Sequence, residues 1–174
     1  MLKYKNAVVT FAEVPSEVTL CINITGCPVH CEGCHSPELW EDTGHILDGR
    51  AIDTLISNNQ GISCVCFMGG DNDPQGIYEV AKFIREHWPL KICWYSGMSL
   101  RQDLPLEYFD YIKTGPYKKE LGGLDSITTN QRFYQVKKKL AYMSDEVMYR
   151  YLEDITWKFQ KLLNETTNCQ DDEE

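Results

Sequence analysis

The segment Gly26-Cys27-Pro28-Val29-His30-Cys31-Glu32-Gly33-Cys34-His35 places three thiols at C-x3-C-x2-C spacing, with two imidazoles among them. Soft thiolates select zinc, copper(I) or iron–sulfur clusters. A closed zinc site takes four protein ligands, commonly as two pairs, and no second pair of that kind follows downstream. Zinc would therefore need His30 or His35 as its fourth ligand. A [4Fe–4S] cube normally takes four cysteines. Held by Cys27, Cys31 and Cys34 alone, it would leave one iron open to a small molecule, as catalytic metals keep an open position. The spacing alone leaves both readings standing.

The chain has 174 residues and eight cysteines. Cys21, Cys64, Cys66 and Cys93 lie in apolar, strand-like segments and read as small buried hydrophobes. Cys169 belongs to an acidic tail. The start, MLKYKNAVVTFAEV, lacks the apolar core and cleavage site of a secretory signal. No run approaches the ~20 apolar residues of a spanning helix. The expectation is a cytoplasmic protein with no membrane partner, in a compartment where disulfides are rare. Tightly spaced thiols are then better read as ligands than as bridges. A net charge of −9 opposes binding to a phosphate backbone. Lys137-Lys138-Lys139 reads as a solvated face, so no nucleic-acid partner is expected.

The elements around the thiols alternate. Residues 18–24 are rich in β-formers and run directly into the cysteine loop. Asp48 to Ser57 has the helical period, and residues 62–68 (ISCVCFM) form a short buried-strand run ended by Gly69-Gly70-Asp71. Asp73-Pro74 is a helix start, and the helix runs to Trp88. Strands are expected at Lys91–Tyr95, closed by Ser96-Gly97, at 111–113, closed by Thr114-Gly115-Pro116, and at 132–136. A short helix is expected near Met98 to Asp103. A final helix is expected from Ser144 to Glu165, with Val147, Met148, Tyr151, Leu152, Ile155, Phe159, Leu162 and Leu163 in its stripe. This β-α-β-α order predicts a mostly parallel sheet with helical crossovers. The C-terminal ends of parallel strands share one rim, where ligands bind. The cysteine loop and the Gly-Gly-Asp, Ser-Gly and Thr-Gly turns each follow a strand, so all four should converge there.

Taken together, these motifs resemble the radical S-adenosylmethionine enzymes: C-x3-C-x2-C after the first expected strand, and a Gly-Gly-acid turn after the next. In that superfamily the open iron chelates S-adenosylmethionine. One electron then splits a carbon–sulfur bond, and the resulting 5′-deoxyadenosyl radical abstracts a hydrogen atom. The cysteine loop followed by Trp40, the Gly69-Gly70-Asp71 turn, Trp94-Tyr95-Ser96-Gly97 and the Tyr117–Tyr134 segment with Thr129-Asn130-Gln131 are similar to the activating proteins of anaerobic ribonucleoside-triphosphate reductases. The likeness covers about residues 6 to 136. Departures are Gly33, where many members carry an aromatic residue, Asn72-Asp73 ahead of Pro74, and Thr114-Gly115, where related activases tend to carry Asp-Gly.

The resemblance implies an α/β fold, an incomplete, open (β/α) barrel with a mostly parallel sheet. It implies a radical SAM domain over 1–143. Beyond the likeness, the sequence pattern itself adds an amphipathic helix over 144–167, packed on or beside that domain, and an acidic tail over 168–174, expected to be disordered. The resemblance implies an oxidoreductase in which Cys27, Cys31 and Cys34 ligate a [4Fe–4S] cluster. Around S-adenosylmethionine it places His35 at the cluster or adenosine, Gly69 and Gly70 at the methionyl ammonium, Asp71 as local negative charge, Ser96 and Gly97 along the pocket, and Lys113 and Thr114 on the next strand end, the lysine facing the ligand carboxylate. The partners it implies are the glycyl-radical subunit of the anaerobic reductase and a low-potential electron donor such as a flavodoxin or ferredoxin. The alternatives are activation of another glycyl-radical enzyme, a small-molecule enzyme acting on a deazapurine precursor, and a zinc-stabilised binding module with no activity.

Overall fold

The computed structural model describes residues 1–142 and 146–160. Its elements are β1 (Lys3–Thr10), β2 (Thr19–Ile24), β3 (His45–Ile46), α1 (Gly49–Ser57), β4 (Cys64–Met68), α2 (Pro74–His87), β5 (Lys91–Tyr95), β6 (Tyr111–Thr114), β7 (Arg132–Tyr142) and β8 (Glu146–Asp154). Short 3₁₀ turns occupy Pro37–Leu39, Leu106–Tyr108 and Thr156–Lys158. One eight-stranded sheet runs in the order β3-β1-β2-β4-β5-β6-β7-β8. Its centre, β2-β4-β5-β6, is parallel, and both flanks are antiparallel.

Helix starts follow from local chemistry. Asp48 accepts the Ala51 N–H at 2.9 Å, and Asp73 accepts that of Gly76 at 3.0 Å, each capping a first turn that lacks internal acceptors. Pro74 sits where a missing N–H costs nothing. Ile52 and Ile56 of α1, and Ile77, Val80, Ala81 and Ile84 of α2, share one core with Leu20, Ile22, Ile24, Val65, Phe67, Ile92, Trp94 and Ile112. Each such aliphatic side chain is worth about 1.5–3 kcal/mol when fully buried.

Strand parity then assigns the other face. The residues between those core positions, Cys21, Cys64, Cys66, Cys93 and Tyr111, pack with Val14, Phe133 and Ile155 in a second core. Val14 reaches that face from the β1–β2 connection.

Three expectations about individual elements are corrected. The final helix is replaced by β8 over Glu146–Asp154, paired with β7 along nine register positions. The stripe that reads as helical also serves a strand: Leu152 pairs with Val136 and both pack on the main core. Val147, Tyr149 and Tyr151 are β-formers, and the free edge of β7 offers backbone partners that an isolated helix would leave unused. The C-terminal part of that expected helix and the acidic tail, 161–174, lie outside the described residues. Residues 98–103 are irregular, and β7 runs on to Tyr142. The expected α/β class holds: among the described residues two helices accompany eight strands in a strand-rich, open mixed sheet.

Candidate functional site

Register carries one side chain from each parallel strand to the same row at the C-terminal rim. Asn23 pairs with Met68, Met68 with Tyr95, and Tyr95 with Lys113. All four face away from the helices. One step below, Cys21, Cys66, Cys93 and Tyr111 form the next row. The cysteine loop leaves β2 directly above this face.

Backbone contacts fix the loop. Gly26 donates to the Glu41 carbonyl at 3.1 Å and Cys27 to that of Leu39 at 3.0 Å. Gly26 has φ +76°, a conformation that disfavours a side chain, and a Cβ there would also push the Asn72 amide aside, 2.5 Å from Nδ2. His30 adopts φ +48° and stacks on Trp40 with ring centroids 4.7 Å apart. Val29 covers Gly97 so closely that a Cβ on the glycine would lie 2.9 Å from Val29 Cγ2. Cys27, Cys31 and Cys34 are all half-buried and unpaired. The Ser36 N–H points at Cys34 Sγ from 3.4 Å.

Beside the loop lies a cleft of about 190 Å³, lined by Cys27, Cys34, Ser36, Leu39, Trp40, Asn23, Ile24, Met68, Gly69, Asp71, Tyr95, Ser96, Gly97 and Lys113. Four separate chain segments therefore meet at one rim, as expected. Asp71 accepts hydrogen bonds from the Ser96 hydroxyl at 2.5 Å and the Gly97 N–H at 2.8 Å, tying the turn after β4 to the turn after β5. Lys113 is buried, and its ammonium donates to the Gly115 carbonyl at 2.7 Å. Burial pulls its pKa down to about 8, against the opposing pull of negative charge on Cys31 and Asp71.

Not every expected residue faces the cleft. Gly70, at φ +95°, is required by packing: a Cβ there would meet Ile77 Cδ1 of α2 at 2.5 Å. His35 is exposed and lies against Tyr117, 5.0 Å between centroids. Thr114 is buried, and its register partner on β7 is Arg132. Cys31, His35, Gly70 and Thr114 do not belong to the lining. Among lining residues that the motifs alone did not single out, Asn23, Met68 and Tyr95 are the last inward-parity positions of their strands, so the period-2 pattern could have named them. Among the described residues, no three His, Cys, Asp or Glu side chains gather around a point that one ion could fill. A cube does not need such a point, because each thiolate binds a different iron.

The thiols of the lower row are held neutral. Burial raises the pKa of Cys93 to about 11 and that of Cys66 well above its ordinary value. The contact with Cys66, then burial, raises that of Cys21. The ligand-like and packing-like cysteines are thus separated by position as well as by spacing.

The model of a family described as a 4Fe-4S single cluster domain matches residues 17–134, a span that contains every residue of the cleft lining. The chain is also similar to the anaerobic ribonucleoside-triphosphate reductase-activating protein of Enterobacteria phage T4: 27% identical over 109 residues, covering 56% of this chain and 70% of that protein. No solved structure matches.

Proposed function

Because the chain belongs to the 4Fe-4S single cluster domain family, we propose that it is a radical S-adenosylmethionine activase whose cluster sits on Cys27, Cys31 and Cys34. The observation that carries this reading is a cleft at the rim of four parallel strands that is lined by Cys27 and Cys34, with a third free, half-buried thiol, Cys31, in the same loop. The donor set fits such a group. The Ser36 N–H already points at a ligand sulfur, the Trp40 indole N–H is buried beside the loop with no acceptor among the described residues, and the Lys113 ammonium offsets anionic charge. When bound, the cluster supplies one low-potential electron to the sulfonium of S-adenosylmethionine, which opens a carbon–sulfur bond.

The remaining work falls to side chains. Asp71 holds the Ser96-Gly97 turn against the cleft and supplies negative charge for the cationic end of the ligand. Lys113 pairs with the ligand carboxylate. Gly69 keeps the wall low, with only Ile24 atoms within 4 Å of where a Cβ would stand. Gly70 shapes the turn through α2. On this reading the β2-β4-β5-β6 core is the remainder of a (β/α) barrel, and the rim that carries the cleft receives a loop of another protein.

The substrate is accordingly a glycine in the glycyl-radical subunit of an anaerobic ribonucleoside-triphosphate reductase, with a flavodoxin or ferredoxin as electron donor. The similarity to the phage activating protein supports that partner. The test is electron-spin resonance of the anaerobic mixture of reduced protein, S-adenosylmethionine and reductase. A glycyl-radical doublet is expected. Silence from a mixture whose cluster is intact and reducible would overturn the activase reading.

A further inference from the structure

Trp40 Nε1 is shielded from solvent and has no hydrogen-bond partner among the described residues. A buried donor left unpaired costs roughly 1–3 kcal/mol, so such a group usually marks something it serves. Trp40 lines the cleft together with Cys27 and Cys34.

Its neighbours show what the donor is aimed to serve. The carbonyls of Leu39 and Glu41, on either side of Trp40, accept the N–H groups of Cys27 and Gly26 at 3.0 and 3.1 Å. That clip holds position 40 against the first thiol of the loop. His30, between Cys27 and Cys31, stacks on the indole at an interplanar angle of 20°. The ring is thus gripped by the cysteine loop at its face and by the loop's base through its backbone. The cleft that Trp40 lines brings the sulfurs of Cys27 and Cys34 to the same wall, and the Ser36 N–H already shows a donor-to-sulfur pattern at Cys34.

We infer that the Trp40 indole N–H donates a hydrogen bond to a sulfur of the cluster and thereby sets its reduction potential. This inference rests on the cluster reading above. A donor aimed at sulfur stabilises the more negative, reduced state more than the oxidised one, which raises the potential.

The experiment is anaerobic potentiometry of the cluster-loaded full chain, wild type against Trp40→Phe, with iron and sulfide counted in each. The expected result is equal iron content and a lower potential in the variant, a shift of about tenfold in the reduction equilibrium, or about 59 mV for one electron. An unchanged potential in a fully loaded variant overturns the inference. Should Trp40→Phe not load, wild-type protein labelled with indole-15N tryptophan decides. A 15N hyperfine coupling to the reduced cluster supports the hydrogen bond, and its absence overturns it. Wild-type protein that binds no iron removes the cluster reading itself, so the two failures are told apart.

Discussion

Asp71 accepts from both the hydroxyl of Ser96 and the amide of Gly97, and through this pair it locks together the turns that follow β4 and β5. The carboxylate is therefore a structural tie as well as a wall of the cleft. Hydrogen bonds to a charged acceptor are worth about 1.5–3 kcal/mol.

Asp71→Ala should cost roughly 2–3 kcal/mol in urea unfolding, because it leaves two donors without their acceptor. Asp71→Asn, which keeps one acceptor oxygen, should lose about half of that. Equal stability of Asp71→Ala and wild type would show that the tie carries no weight.

The two adjacent glycines should behave differently. Both have φ near +100°, so a side chain at either is strained by about 1 kcal/mol or more. At Gly70 a Cβ also collides with Ile77, whereas at Gly69 the nearest atom is the Ile24 carbonyl oxygen at 3.4 Å. Gly70→Ala should therefore destabilise by about 3 kcal/mol and Gly69→Ala by about 1–2. Thermal unfolding of both variants checks the order, and a reversed order would contradict the packing role of Gly70.

Cys31→Ala should abolish iron uptake during anaerobic reconstitution. Cys64→Ala should bind iron like wild type and lose only about 1 kcal/mol of stability, since Cys64 is buried in the second core. Iron analysis separates the two, and equal loss in both would mean that the ligand set is misassigned.

Much of this division was legible in the chain. The spacing of Cys27, Cys31 and Cys34 stands apart from the strand-borne thiols, and the turns after β2, β4, β5 and β6 each carry glycine or small polar residues. Parity does the rest: Ile22, Phe67 and Trp94 face the helices, so Asn23, Met68 and Tyr95 must face the cleft. Other features are invisible to periodicity. The place of Trp40 follows from backbone bonds at Gly26 and Cys27, contacts that no repeat encodes. The segment that forms β8 reads as helix because its apolar residues satisfy both periods, and the choice between them lies with the β7 edge. β1 is mostly half-exposed and gives little alternation, and the edge of β2 is what it pairs with.

Acid should weaken the fold through Glu17. Burial would raise the pKa of this carboxyl, but hydrogen bonds from Lys91, Ser63 and Tyr111 outweigh it and hold it below the ordinary value. A depressed pKa stabilises the folded state above the unfolded value, about 4.3. That stabilisation disappears as pH falls through the folded value. Glu17→Gln should flatten this acid limb in unfolding measured between pH 3 and 6, on the order of that window. A variant with the same acid dependence as wild type would exclude Glu17 as its source.

The most direct measurement is electron-spin resonance of the anaerobically reconstituted, reduced protein before and after addition of S-adenosylmethionine. A brown protein with about four irons per chain, whose reduced signal shifts when the sulfonium is added, is the expected result. A colourless protein, or a cluster signal that the addition leaves untouched, would contradict an open iron at this rim.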